Sequence, residues 1–302
     1  MMIFKYSLAV LLTFAVSNPL LGQVADLTNV MAGEVIDNST VIPDGAVVNL
    51  NGGTIASGTV FSAGDFPSGF TLNINDGVVG LGVEINNAII NIAGGEVALG
   101  ANDLSEGVNN FNNTITVTGG EVGGFFQLRG SSTLELAGGT IESFGTLANA
   151  TATVTGGAFT LVDNNGELNI FGGDFNTFRT LGNSALNSTV NLFGTDFAID
   201  GVPIEGLSLD SAFEIDVRDV VLSGTLSDGS AFSNFLDSTT PQGDLDFGPF
   251  ATLADLQAVP GFASTGSTVT VTLVQSIPEP SSLALLSVAS CVTVCRLSLI
   301  HI

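Results

Sequence analysis

The residues able to do chemistry in this 302-residue chain are few and badly placed for it. The single histidine is His301, and the two cysteines are Cys291 and Cys295. The body upstream of them therefore holds no Ser-His-Asp or Cys-His arrangement. Zinc and most transition metals lose their usual ligands there as well. The only lysine is Lys5, so the body has no amine for Schiff-base or general-base work, and it carries no phosphate-binding Gly-x-x-x-x-Gly-Lys loop. Carboxylates are plentiful, at 29 Asp and Glu, and glycoside hydrolysis needs a pair of them. Asp196 with Asp200, or Asp216 with Asp219, are the pairs to nominate. Sugar-cleaving clefts generally add Trp or Tyr platforms, but this chain has no Trp and its one tyrosine is Tyr6. A polysaccharide lyase would need a basic group, and only Arg129, Arg179 and Arg218 are available, far apart in sequence. These arginines read as charge partners of nearby acids. The expectation is a protein that is not an enzyme, with a carbohydrate-active β-helix as the alternative.

Hard oxygen ligands also suit calcium, which an acidic surface can recruit at about millimolar affinity. Asp163-Asn164-Asn165-Gly166-Glu167 and Asp244-Leu245-Asp246 are the two segments with that character. Neither matches a twelve-residue EF-hand loop or a nonapeptide calcium repeat, and the plainer reading of each is a solvated turn. A calcium-dependent adhesin is thus a further alternative, and no cofactor is otherwise expected. A net charge of −24 repels nucleic acid and anionic lipid, so neither is expected as a partner.

The elements that would position such groups come from a repeat. One phrase recurs eight times: VNLNGGTI (48–55), LNINDGVV (72–79), INIAGGEV (90–97), ITVTGGEV (115–122), LELAGGTI (134–141), ATVTGGAF (152–159), LNIFGGDF (168–175) and VNLFGTDF (190–197). The spacing from one copy to the next averages about 20 residues, the size of one coil in a repeat architecture. Each copy alternates apolar and polar residues, so one side of a short strand is apolar, and only stacking of neighbouring copies can bury it. The glycine pairs supply the positive φ that turns require. The polar residues at 49, 73, 91, 116, 135, 153, 169 and 191 would then form one column, mostly Asn and Thr with Glu135 among them, able to hydrogen-bond along the stack.

The pattern predicts an all-β fold: a parallel β-helix or solenoid of about eight rungs over residues 26–197, on the order of 40 Å long. A β-rich capping module is expected over 198–275, because a solenoid's last rung must be covered. The competing topology is a series of hairpins turning at each Gly-Gly. The variable spacing, and the weak alternation after each pair, favour the coil. The 45% hydrophobic content and mean hydropathy of +0.50 argue against disorder.

Both termini carry signals outside that fold. Residues 1–25 have a lysine, an apolar run and then small residues, the order of a secretory signal peptide. Residues 276–302 contain Pro278-Glu279-Pro280, then small and apolar residues, then Arg296. This tail resembles the PEP-CTERM sorting signal of Gram-negative bacteria. The resemblance implies an exported protein of the cell envelope or extracellular matrix, associated with exopolysaccharide. It also implies recognition and processing by a membrane exosortase, with Pro278, Glu279, Pro280 and Arg296 as the sorting residues. The family's tails end in several basic residues, whereas here a single Arg296 precedes Leu297-Ser298-Leu299-Ile300-His301-Ile302. A plain C-terminal apolar helix that anchors the chain in the membrane is the other reading of this segment.

Overall fold

The computed structural model describes residues 22–23, 28–40, 42, 45–61, 69–98, 108–146, 149–180, 188–236 and 268–275. The proposed signal peptide up to residue 21, the sorting residues Pro278, Glu279, Pro280 and Arg296, and Asp244 and Asp246 lie outside the described residues. Within them the chain is all-β: there are 22 strands and no helix.

Most strand pairs are parallel, and they join the repeated phrases to one another. Val48, Leu72, Ile90, Ile115, Leu134, Ala152, Leu168 and Val190 are successive register partners. Two residues further along, Leu50, Ile74, Ile92, Val117, Leu136, Val154, Ile170 and Leu192 form a second row of the same ladder. None of these side chains is more than 2% exposed. Period-two alternation sends these residues inward, and stacking covers each with the next. This ladder is the first column. Because each phrase pairs in parallel with the phrase before and after it, the hairpin topology is excluded.

The column runs beyond the eight copies. Val269 and Val271, on the strand Thr268–Leu273, pair in parallel with Val190 and Leu192. At the other end Val30 pairs with Leu50. The segment 198–275 thus adds a further level to the first column, in addition to its own hairpin.

The first seven phrases bend at their Gly-Gly or Asp-Gly and continue into a second column: Ile55, Val79, Val97, Val122, Ile141, Phe159 and Phe175 are register partners in turn. The bend needs glycine for two reasons. Gly139 has φ +73°, and a Cβ placed on it would lie 2.7 Å from the carbonyl of Gly119 on the neighbouring level. Gly95 has φ +80° and would meet the carbonyl oxygen of Gly77 at 2.7 Å. Glycine therefore stacks on glycine, at a separation no side chain permits.

A third column joins Phe61, Ile85, Asn110, Leu128, Thr146 and Asn164. It also joins Val108, Phe126, Phe144 and Val162. Here buried positions alternate between apolar and polar, with Asn110, Thr146 and Asn164 fully enclosed.

Antiparallel strands close the far end. The strand Val220–Leu226 runs antiparallel to the second half of Thr189–Ile199 and pairs with Ala231–Leu236 in a hairpin. Ala212–Glu214 lies antiparallel on Thr268–Leu273. The last phrase has Gly194-Thr195 where others have a glycine pair, and here a Cβ on Gly194 would strike the Thr225 carbonyl of that antiparallel strand. The turn of the hairpin reaches the last full glycine pair: Asp228 accepts a hydrogen bond from Gly173 N through Oδ2 at 2.7 Å.

Candidate functional site

The outward positions of the first column make the one extended, regular side-chain array that the repeat builds. Asn49, Asn73, Asn91, Thr116, Glu135, Thr153, Asn169 and Asn191 are register partners, and Thr270 continues the row. The expected amide ladder forms in two runs. Asn73 Nδ2 donates to Asn49 Oδ1 at 2.7 Å, and Asn91 Nδ2 donates to Asn73 Oδ1 at 2.8 Å. In the other run Asn191 Nδ2 donates to Asn169 Oδ1 at 2.8 Å, and Thr270 Oγ1 donates to Asn191 Oδ1 at 2.7 Å. Between the runs stand Thr116, Glu135 and Thr153. A parallel, shorter ladder joins Asn29, Asn51 and Asn75. Each bond links adjacent levels, so the array is tied together within each run.

The acidic pairs nominated for hydrolysis lie at exposed strand and loop positions. Asp196 is exposed on its strand, opposite Thr225. Asp200 sits in a turn at φ +50°, and its Oδ1 accepts from Val221 N at 2.9 Å, which makes it a turn residue. Asp216 and Asp219 are exposed and flank Arg218. Arg218 donates through Nη1 to the carbonyls of Ile215 and Val217, at 2.7 and 3.0 Å. Burial pulls its pKa below the usual guanidinium value, while Asp216 and then Glu214 push it back up. Arg129 lies over the Phe111 ring, 5.0 Å from its centroid, and donates to Gln127. Burial lowers its pKa too, with Glu84 opposing. Both arginines thus have acidic neighbours, as expected from the sequence. The backbone of Arg179 pairs with Asp163 in the third column.

The calcium-like turn at 163–167 has another use. Asn164 is fully buried, accepts from Thr146 Oγ1 and from Gly166 N, and donates to the Thr189 carbonyl at 2.8 Å. Its amide is committed to protein partners. Among the described residues no group of three or more His, Cys, Asp or Glu side chains is placed to hold a metal ion. Among them, too, no helix is long and apolar enough to cross a membrane.

A second set of polar residues escaped the sequence reading. Asn113 is buried where the third column turns back into the first. It accepts from Ala88 N at 2.8 Å and donates to the Ile85 carbonyl at 2.8 Å and to Asn110 Oδ1 at 3.2 Å. Ser132, one level on, accepts from Asn113 N at 3.1 Å and donates to the Arg129 carbonyl at 2.7 Å. The available signal was the doubled asparagines of Val108-Asn109-Asn110-Phe111-Asn112-Asn113 and Asp163-Asn164-Asn165, too many for one solvated turn.

Comparison of the chain with protein-family models, with curated proteins and with solved structures yields no match. The class of protein therefore rests on the geometry: among the described residues, an all-β chain of mostly parallel strands with a polar outer row and a buried apolar core.

Proposed function

We propose that this chain is a non-enzymatic, exported structural or adhesive protein of the bacterial cell envelope or extracellular matrix, associated with exopolysaccharide. In this reading the three parallel columns are the three sides of one β-solenoid, closed at its far end by the antiparallel strands. The carrying observation is the first column, in which all eight phrases and the added strand Thr268–Leu273 hold one parallel register. Such an array is stiff and elongated by construction, and each level is buried only by its neighbours. That suits display and scaffolding, where shape and surface are the working parts.

In this proposal residues 1–25 direct export, and the tail at 276–302 directs sorting through Pro278, Glu279, Pro280 and Arg296. An exosortase-like enzyme acts on that tail while it holds the chain at the membrane. The test is to express the full chain in a Gram-negative host that carries an exosortase and to define both mature termini by mass spectrometry of each cell fraction. The expected product lacks about the first 25 residues, ends near residue 280, and lies in the envelope or outside the cell. A product retaining Ile302 in a membrane fraction would favour the plain anchor. Retention of both termini in the cytoplasm would overturn the proposal.

A further inference from the structure

We propose that the outer face of the first column binds a neutral, extended polysaccharide. This deepens the function proposed above by assigning the surface and the class of glycan, and it rests on that reading.

The first ground is charge. The chain carries −24, yet the outward positions of this column hold Thr or Asn on every level, with Asp76, Glu135 and Glu167 as carboxylates among the paired strands. The adjacent second column has no such bias: Glu96 pairs with Glu121 on successive levels, and Asp174 follows. An acidic glycan would be repelled by the protein as a whole. A neutral one meets on this face rows of hydroxyls and amides, interrupted by exposed Val47 and Ile89 and by the stacked rings of Phe171 and Phe193, with few charges to desolvate.

The second ground is spacing. Thr114, Thr116 and Thr118 lie on one level and Thr151, Thr153 and Thr155 two levels on, with Thr133 between. Thr114, Thr118, Thr133 and Thr155 are exposed, and the others are half-buried. Each hydroxyl both donates and accepts. Levels repeat every ~4.8 Å, close to the rise of one unit in an extended β-1,4-linked glycan. A chain laid along the levels of Thr114, Thr133 and Thr151 therefore meets a fresh threonine at each sugar, in step. β-branched side chains are stiff at χ1, and the flanking amide ladders fix the levels, so binding orders little that is not already ordered.

The test is native affinity electrophoresis of the full chain in gels containing hydroxyethylcellulose, a neutral β-1,4-glucan, or alginate, an acidic glycan. The parent protein should be retarded by the glucan and not by alginate. Replacing both Thr116 and Thr153 with valine keeps strand propensity and shape but removes two hydroxyls, and should weaken glucan retardation about tenfold. Thr140→Val, on the second column, should leave it unchanged. Thr155→Arg is an independent variant on the proposed face, expected to weaken retardation with the same melting temperature as the parent. No retardation by the glucan, retardation by alginate alone, or equal retardation of parent and face variants would each overturn the inference. A protein found in the envelope that fails this test sinks the glycan face and leaves the envelope function standing. A cytoplasmic location sinks the function instead.

Discussion

Two corners of the molecule turn the chain by opposite means. Where the first column passes into the second, the turn is made by backbone alone: glycine packs on glycine of the next level, and nothing larger fits. Where the third column passes into the first, the turn is made by side chains: Asn113, Ser132, Thr146 and Asn164 reach inward and bond the main-chain groups that the bend leaves without partners. Positive φ recurs at this second corner too, but there asparagine takes it at Asn87, Asn112 and Asn149, with glycine only on the intervening level at Gly130; asparagine is the residue type that best tolerates that region after glycine. The comparison teaches that a buried turn must satisfy its backbone one way or the other. The glycine corner does so by close approach between levels, and the asparagine corner by carrying amides inside.

The largest effect should therefore come from adding a side chain at the first corner. Gly139→Val places a β-branched residue at φ +73° with its Cβ 2.7 Å from the Gly119 carbonyl. Backbone strain and overpacking together should cost about 3–5 kcal/mol, read as a large drop in urea midpoint. Gly139→Asn sharpens the comparison, since asparagine tolerates the conformation but keeps the Cβ. It should lose nearly as much as valine. If asparagine restored most of the stability, the corner would be conformational only, and its close approach would not matter.

At the second corner, Asn113→Ala removes three hydrogen bonds and strands the Ala88 N–H and the Ile85 carbonyl. The expected cost is about 2–4 kcal/mol, somewhat below the glycine substitutions, because some relaxation can partner those groups again. Hydrogen exchange at the Ala88 amide should accelerate in this variant, and unchanged protection there would break the contrast between the corners.

How much of this was legible in the sequence follows from the same contrast. The glycine corner announces itself, because the residue type is rare enough to mark the phrase and the flanking alternation fixes the register. That is why the row from Asn49 to Asn191 could be drawn before the fold was seen. The reason for the glycines was only half legible. Positive φ is a property of one residue, whereas the clash with the neighbouring level exists only once the levels are stacked. The asparagine corner could not be read, because a polar residue between two strands looks the same whether it faces water or the interior. On those grounds Asn164 reads in the sequence as part of a solvated or calcium-binding turn. The added strand Thr268–Leu273 was visible as a strand but not as a member of the column, since Val269-Thr270-Val271 alternates correctly and lacks the glycine mark.

A third, fully exposed turn gives the smallest effect and bounds the comparison from the solvent side. Asp37 follows buried Ile36 at the start of the second column and makes its turn with a carboxylate in water. Its Oδ1 accepts from Ser39 Oγ at 2.5 Å and from Ser39 N at 2.8 Å. Those bonds, the Ser39 hydroxyl first, hold its pKa below the ordinary aspartate value of 3.8. A carboxyl whose folded pKa is depressed contributes stability above its unfolded value and loses it as pH falls through the folded one. The contribution of Asp37 is thus complete above about pH 4 and disappears only in stronger acid. Asp37→Asn should leave the neutral-pH melting temperature nearly unchanged and flatten the decline of stability with acid below pH 4. Direct titration of the Asp37 carboxyl by NMR should give a midpoint under 3.8, moving up towards it in Ser39→Ala. A midpoint unmoved by that substitution would mean that this turn, unlike the two buried ones, is held by its backbone and not by the side chain at its head.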